Sequence, residues 1–110
     1  MFFIQERGAR MKEITKYIVF NESIGALTMT EDAKTEKGVA KEKVLAYLQS
    51  FEDDSVCAGK VYDMHKKEYT DITNVTYCDG EYYWDSTVIY YFEYYDLKLE
   101  DKFIEKVLNS

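Results

Sequence analysis

The chain contains no proline, a single histidine, two cysteines and five glycines in 110 residues. Without proline no segment can be a proline-rich linker or ligand, and the turns must be made by Gly, Asn, Asp and Ser. Two thiols, Cys57 and Cys78, are too few for a disulfide framework and read as small apolar residues in strands. The one histidine, His65, follows Asp63 by two residues, a spacing that sets a carboxylate and an imidazole on one strand face. A metal site there would have to recruit Glu68 or Asp71, so an exposed histidine in the polar turn Met64-His65-Lys66-Lys67-Glu68 is the better explanation.

Catalytic patterns are equally scarce. There is no Gly-x-Ser-x-Gly, Gly59-Lys60 lacks the rest of a phosphate loop, and a thiol–imidazole pair could only join Cys57 or Cys78 to His65. Among 21 acids a pair of carboxylates can always be picked, so finding one carries no information. The expectation is a protein that is not an enzyme and that holds no cofactor and no metal.

Long apolar runs are missing too. The opening Met-Phe-Phe-Ile gives way at once to Gln5, Glu6 and Arg7, far short of a signal core or a spanning helix. A cytoplasmic protein with no membrane association is expected. Met11-Lys12-Glu13 would itself serve as a start, so residues 1–10 read as a possible N-terminal extension to a single globular domain over 11–110. Positive charge is the last shortage: 14 bases against 21 acids, with a sequence pI near 4.7. Lys34, Lys37, Lys41 and Lys43 cluster, but Glu36 and Glu42 interleave with them as on an ordinary solvated face. Nucleic acid is an unsuitable partner for such a field.

What the chain has is aromatic and acidic, and both are concentrated. From Tyr69 to Asp101, Asp71, Asp79, Glu81, Asp85, Glu93, Asp96, Glu100 and Asp101 face only Lys98, so this stretch carries the whole formal charge of −7. The same stretch holds Trp84, Phe92 and eight of the eleven tyrosines. Tyrosine gives large contact area at low entropic cost and keeps a hydroxyl for wet or buried settings, which suits a protein-binding surface.

The periodicities predict an α+β fold: a small, mostly antiparallel sheet around a central hairpin, packed by about three helices. Residues 11–20 fit a short helix or a strand, and the segment Asn21–Asp32, where Leu27 and Met29 alternate with Thr28 and Thr30, suggests a short strand bounded by loops. Ala40, Val44, Tyr47, Leu48 and Phe51 form a helical stripe over Val39–Phe51, and Glu52-Asp53-Asp54-Ser55 reads as the loop after it. Val56–Tyr62 and Ile72–Tyr77 are strand-like. Asp79-Gly80 reads as a two-residue hairpin turn that pairs Tyr77 with Tyr82 and Val75 with Trp84 on one face, with Thr76 opposite Tyr83. Asp85 and Ser86 then resemble an N-cap, and Val88, Tyr91, Phe92, Tyr95 and Leu99 a helical stripe. A strand over the same residues is the alternative reading, because Thr-Val-Ile-Tyr-Tyr-Phe is rich in β-formers. A last helix is expected over Glu100–Leu108, with Phe103, Ile104, Val107 and Leu108 inward.

The run Asp79-Gly80-Glu81-Tyr82-Tyr83-Trp84-Asp85-Ser86, with Ile89-Tyr90-Tyr91-Phe92-Glu93, Tyr95, Leu97, Leu99 and Phe103-Ile104, resembles the C-terminal part of small uncharacterised bacterial proteins. Some of those are similar to immunity proteins, the antidotes of secreted toxin domains. The resemblance spans Asp63 to Leu108 and rests on fold-forming residues. Leu99-Glu100 stands where the family has Leu-Pro. It implies a bacterial immunity-type inhibitor that occludes a basic toxin domain, and it supplies no catalytic residues. The partner-binding residues expected from the pattern of acids and off-stripe tyrosines are Glu81, Tyr83, Asp85, Tyr90, Glu93, Tyr94 and Asp96, with the acids steering and the tyrosines anchoring. The alternative is a self-associating structural or regulatory module using the same aromatic surface; monomer and homodimer both remain open.

Overall fold

A computed structural model describes residues 12–29 and 40–109, with residues 52–58 described by backbone alone. The proposed extension over 1–10, Val39, Lys34 and Lys37 lie outside the described residues. Two short sheets and three helices make up the described fold, which is α+β. In chain order the elements are β1 (Lys12–Glu13), β2 (Ile18–Asn21), β3 (Ala26–Met29), α1 (Lys41–Gln49), β4 (Glu52–Asp63), β5 (Glu68–Cys78), β6 (Tyr82–Asp85), α2 (Ser86–Tyr95) and α3 (Asp101–Leu108).

The larger sheet has the order β1-β6-β5-β4, and the smaller pairs β2 with β3 antiparallel. The larger sheet is mixed, because β1 runs parallel to β6 through Lys12↔Tyr82 and Glu13↔Tyr83. The described part of the ambiguous stretch, residues 12–20, therefore holds β1 and most of β2 and no helix. Thr15 and Ile14 fasten it to the α2–α3 connection: Thr15 Oγ1 donates to the Lys98 carbonyl at 2.6 Å, and Glu100 N–H donates to the Ile14 carbonyl at 2.6 Å.

The central hairpin forms, with its register displaced by two residues. Tyr77 lies opposite Trp84, Cys78 opposite Tyr83 and Thr76 opposite Asp85. The reason is Asp79, whose Oδ1 accepts from the Glu81 and Tyr82 N–H groups at 2.9 and 2.8 Å. That side-chain turn widens the loop and leaves positive φ to Gly80 alone, at 99°, where the two-residue turn would have required it of Asp79 as well. A shift of two preserves the faces, so Tyr77 and Trp84 still share one, with nearly parallel rings 6.3 Å apart.

Glu52–Ser55 belong to β4 and not to a loop. Glu52 pairs with Tyr77, and β4 is an edge strand, where charged residues are tolerated and deter further pairing. The β4–β5 ladder is irregular, with a register shift between Val56 and Lys60 that includes Gly59 at φ 93°.

The strand alternative for residues 86–95 is wrong. The Asp85 side chain accepts from the Val88 N–H at 3.1 Å and caps α2, whose residues Ser86 to Phe92 are all buried. A helix enclosed on nearly every side takes its stability from packing, which overrides the β-propensity of Thr-Val-Ile-Tyr-Tyr-Phe. α1 contributes Val44 and Leu48 to the core, while Ala40 and Phe51, at the ends of its expected stripe, are exposed. α3 contributes Phe103 and Val107; Ile104 packs at the margin and Leu108 faces out. Trp84 sits among these layers, its ring 5.6 Å from Phe103 and its indole N–H donating to the Leu48 carbonyl at 3.0 Å.

Candidate functional site

The tyrosines of α2 fall into two roles set by helical spacing. Tyr91 points inward and is fully buried; its hydroxyl donates to the Tyr62 carbonyl at 2.5 Å and accepts from the Met64 N–H at 2.9 Å. Tyr90 and Tyr95 converge on the end of β4. Both hydroxyls donate to Asp63 Oδ2, at 2.5 and 2.6 Å, while Oδ1 accepts from the His65 and Lys66 N–H groups at 2.9 and 2.8 Å. Asp63 thereby closes the β4–β5 turn and ties it to α2.

Asp63 has 0% exposure. Burial pushes its carboxyl upward, but the Tyr90 and Tyr95 hydroxyls and the two backbone amides outweigh that and hold it below the ordinary aspartate value. Burial and the carboxylate raise both phenols, Tyr95 to about 12. The Asp63–His65 pair considered from sequence is joined by a backbone N–H, and the His65 ring lies on Tyr95 at 4.2 Å between centroids. Among the described residues no group of three or more His, Cys, Asp or Glu side chains is placed to hold a metal ion.

Above this network, between α2 and β5, runs an open groove of about 610 Å³. Its walls include Tyr90, Tyr94 and Tyr95 from α2 and Tyr69, Thr70 and Ile72 from β5. Tyr94 is 61%, Tyr69 53% and Ile72 42% exposed, three large side chains of the lining left to water. Asp63, Glu68 and Asp71 line it against Lys66 alone, and Glu93 stands beside Tyr94 and Ile72 in the adjoining hollow.

The seven residues expected to bind a partner do not form one surface. Tyr90 and Tyr94 line this groove, Tyr90 as a wall only 8% exposed, and Glu93 stands beside them in the adjoining hollow. Tyr90 was expected off the core stripe; the carboxylate of Asp63 draws it in. Tyr83 and Asp85 line a different, more apolar hollow of about 380 Å³ with Ile14, Ile18, Phe20 and Leu27. Asp85 is the half-buried cap of α2, its carboxyl raised by burial against the Val88 amide and Asn74. Glu81 pairs with Lys106 at 3.0 Å, and Asp96 with Lys41 at 2.6 Å while ending α2 in the left-handed conformation. Sequence reasoning missed Tyr69 and Ile72. Their signal was the hairpin across Asp63–Glu68, which places Tyr69 beside Tyr62 and brings β5 against α2.

A second buried carboxylate holds the opposite end of the sheet. Asp79 Oδ2 accepts from the Tyr47 hydroxyl at 2.6 Å and from Lys106 Nζ at 2.9 Å. Burial would raise it, yet Tyr47, the turn amides and Lys106 bring it down to about 2. No described helix is long and apolar enough to cross a membrane. No protein-family model, curated protein or solved structure matches the chain.

Proposed function

We propose that the protein is a non-enzymatic protein-binding protein, most concretely an immunity-type inhibitor that occludes a basic toxin domain in the bacterial cytoplasm. The observation that carries this is the groove between α2 and β5, where exposed Tyr94, Tyr69 and Ile72 lie beside acids that have no ion-pair partner among the described residues. Glu68, Asp71 and Glu93 steer a basic surface inward, and the tyrosines and Ile72 supply the desolvated contact. Glu81, Asp85 and Asp96 are engaged within the fold, so the steering role passes from them to Glu68 and Asp71, with Glu93 retained. Inhibition is by stoichiometric cover and requires neither cofactor nor turnover.

Affinity capture from the source organism, eluted by a salt step, tests this. The expected result is one basic protein that is released by salt and is not retained by the Glu93→Lys, Tyr94→Ala variant. Retention of the same proteins by both baits would refute it.

One feature favours a second reading, a self-associating module. Phe20 on β2 lines the apolar hollow and is 59% exposed, and its neighbour Val19 is 48% exposed. Sedimentation velocity separates the two: a dimer abolished by Phe20→Ser belongs to the second reading, a monomer to the first.

A further inference from the structure

Apart from Lys66 and Tyr94, the polar side chains of the α2–β5 groove share one chemical property: they accept hydrogen bonds and have no protons left to donate. Tyr90 and Tyr95 donate theirs to Asp63, which is ionised and can only accept. The Tyr69 hydroxyl donates to the Ile24 carbonyl at 2.8 Å, and the Thr70 hydroxyl to the Val61 carbonyl at 3.0 Å. Glu68 and Asp71 add carboxylate acceptors, leaving Lys66 and the Tyr94 hydroxyl as the side-chain donors of the lining.

A groove of this kind disfavours an anion or an acceptor-rich ligand and favours a cation rich in N–H groups. The aromatic walls point the same way, since the face of a tyrosine ring attracts positive charge. The Tyr94 ring leans on Tyr90, 5.0 Å between centroids at 51°, and stays 61% exposed, so it is held in place with ring surface left to water.

We propose that this groove is a receptor for a guanidinium group, the side chain of an arginine on the partner's surface. The inference rests on the protein-binding reading above and names the chemistry recognised there. Arginine fits better than lysine for two reasons. Its planar group stacks on a ring while bonding a carboxylate in two places, and it is weakly hydrated, so an open groove can bind it without full desolvation. Tyr94 forms the stacking wall; Asp71 and Glu68 take the N–H groups.

The test is a chemical-shift titration of the ¹⁵N-labelled protein with three peptides, acetyl-Gly-Arg-Gly-amide and its lysine and citrulline counterparts. Citrulline keeps the planar shape and loses the charge. The arginine peptide should shift the amides of Thr70, Ile72, Tyr94 and Tyr95 and bind about tenfold more tightly than the lysine peptide, with no saturable response to citrulline. Tyr94→Ala should weaken the arginine response about tenfold; Tyr94 is largely exposed, so the variant reports on binding and not on folding. Equal binding of arginine and citrulline, shifts that map elsewhere, or a Tyr94→Ala variant that binds unchanged would overturn the inference. If a captured partner still depends on Tyr94 while the peptides fail, the guanidinium assignment falls and the binding face stands. If neither depends on Tyr94, both fall.

Discussion

Asp63 is a carboxylate with no exposure and no ion pair among the described residues, held instead by four hydrogen bonds. Removing it strands two hydroxyls and two amides in or near the core. Asp63→Ala should therefore destabilise the protein by about 3 kcal/mol, and Tyr90→Phe, which removes one donor to a charged acceptor, by about 1.5 kcal/mol. Urea unfolding measures both, and a loss under about 0.5 kcal/mol for Asp63→Ala would show the network to be dispensable. The other buried carboxylate makes a prediction in pH. Asp79 is about 2 in the folded protein against an ordinary 3.8, so its contribution is complete above the unfolded value and is lost as pH falls through the folded one. The stability gap between the parent and Asp79→Asn should therefore shrink, by roughly 2 kcal/mol, between about pH 5 and pH 2. A gap that stays constant over that range would contradict the assignment. The Lys106–Glu81 bond is half in water and adds little by comparison.

At the scale of elements, α2 depends on its first residues and on burial. Asp85→Ala should cost about 1 kcal/mol, and Asp85→Asn less, because the amide oxygen can still accept from Val88 while the bond from Asn74 is lost. Thermal unfolding of the pair checks this ranking. The elements themselves were legible in the chain where local chemistry and packing agree: the Val44–Leu48 face of α1, the Asp79-Gly80 turn, the Asp85 cap and the amphipathic α3. Where the sequence misled, a long-range partner had decided the outcome. Glu52–Ser55 become strand because β5 lies alongside, and Lys12–Glu13 pair in parallel with β6 across most of the chain. The hairpin register moved because Asp79 acts through its side chain as well as its backbone. The candidate site was half legible for the same reason. Glu93 and Tyr94 announce themselves as an acid and a ring off the core stripe, but Tyr69, Ile72 and Asp71 join them only once β5 is laid against α2.

For the whole molecule, the acidity of the chain matters less than where it is left unengaged. The eight acids of the strongly negative stretch divide between fold and surface: Asp79, Glu81, Asp85 and Asp96 hold turns, ion pairs and a helix cap, Glu100 and Asp101 open α3, and Asp71 and Glu93 stand beside exposed rings. Asp63 and Glu68 from the β4–β5 turn extend that field along the groove. On the proposed reading, such a surface speeds encounter with a basic partner at low salt, and the anchors then set the lifetime of the complex. The most direct measurement is site-specific photocrosslinking in the source organism, with p-benzoylphenylalanine placed at position 94 and, as a control, at exposed position 105 on α3. The account predicts a single basic protein crosslinked from position 94 and not from 105. The same crosslinks from both positions, or only a second copy of the chain from position 94, would contradict it.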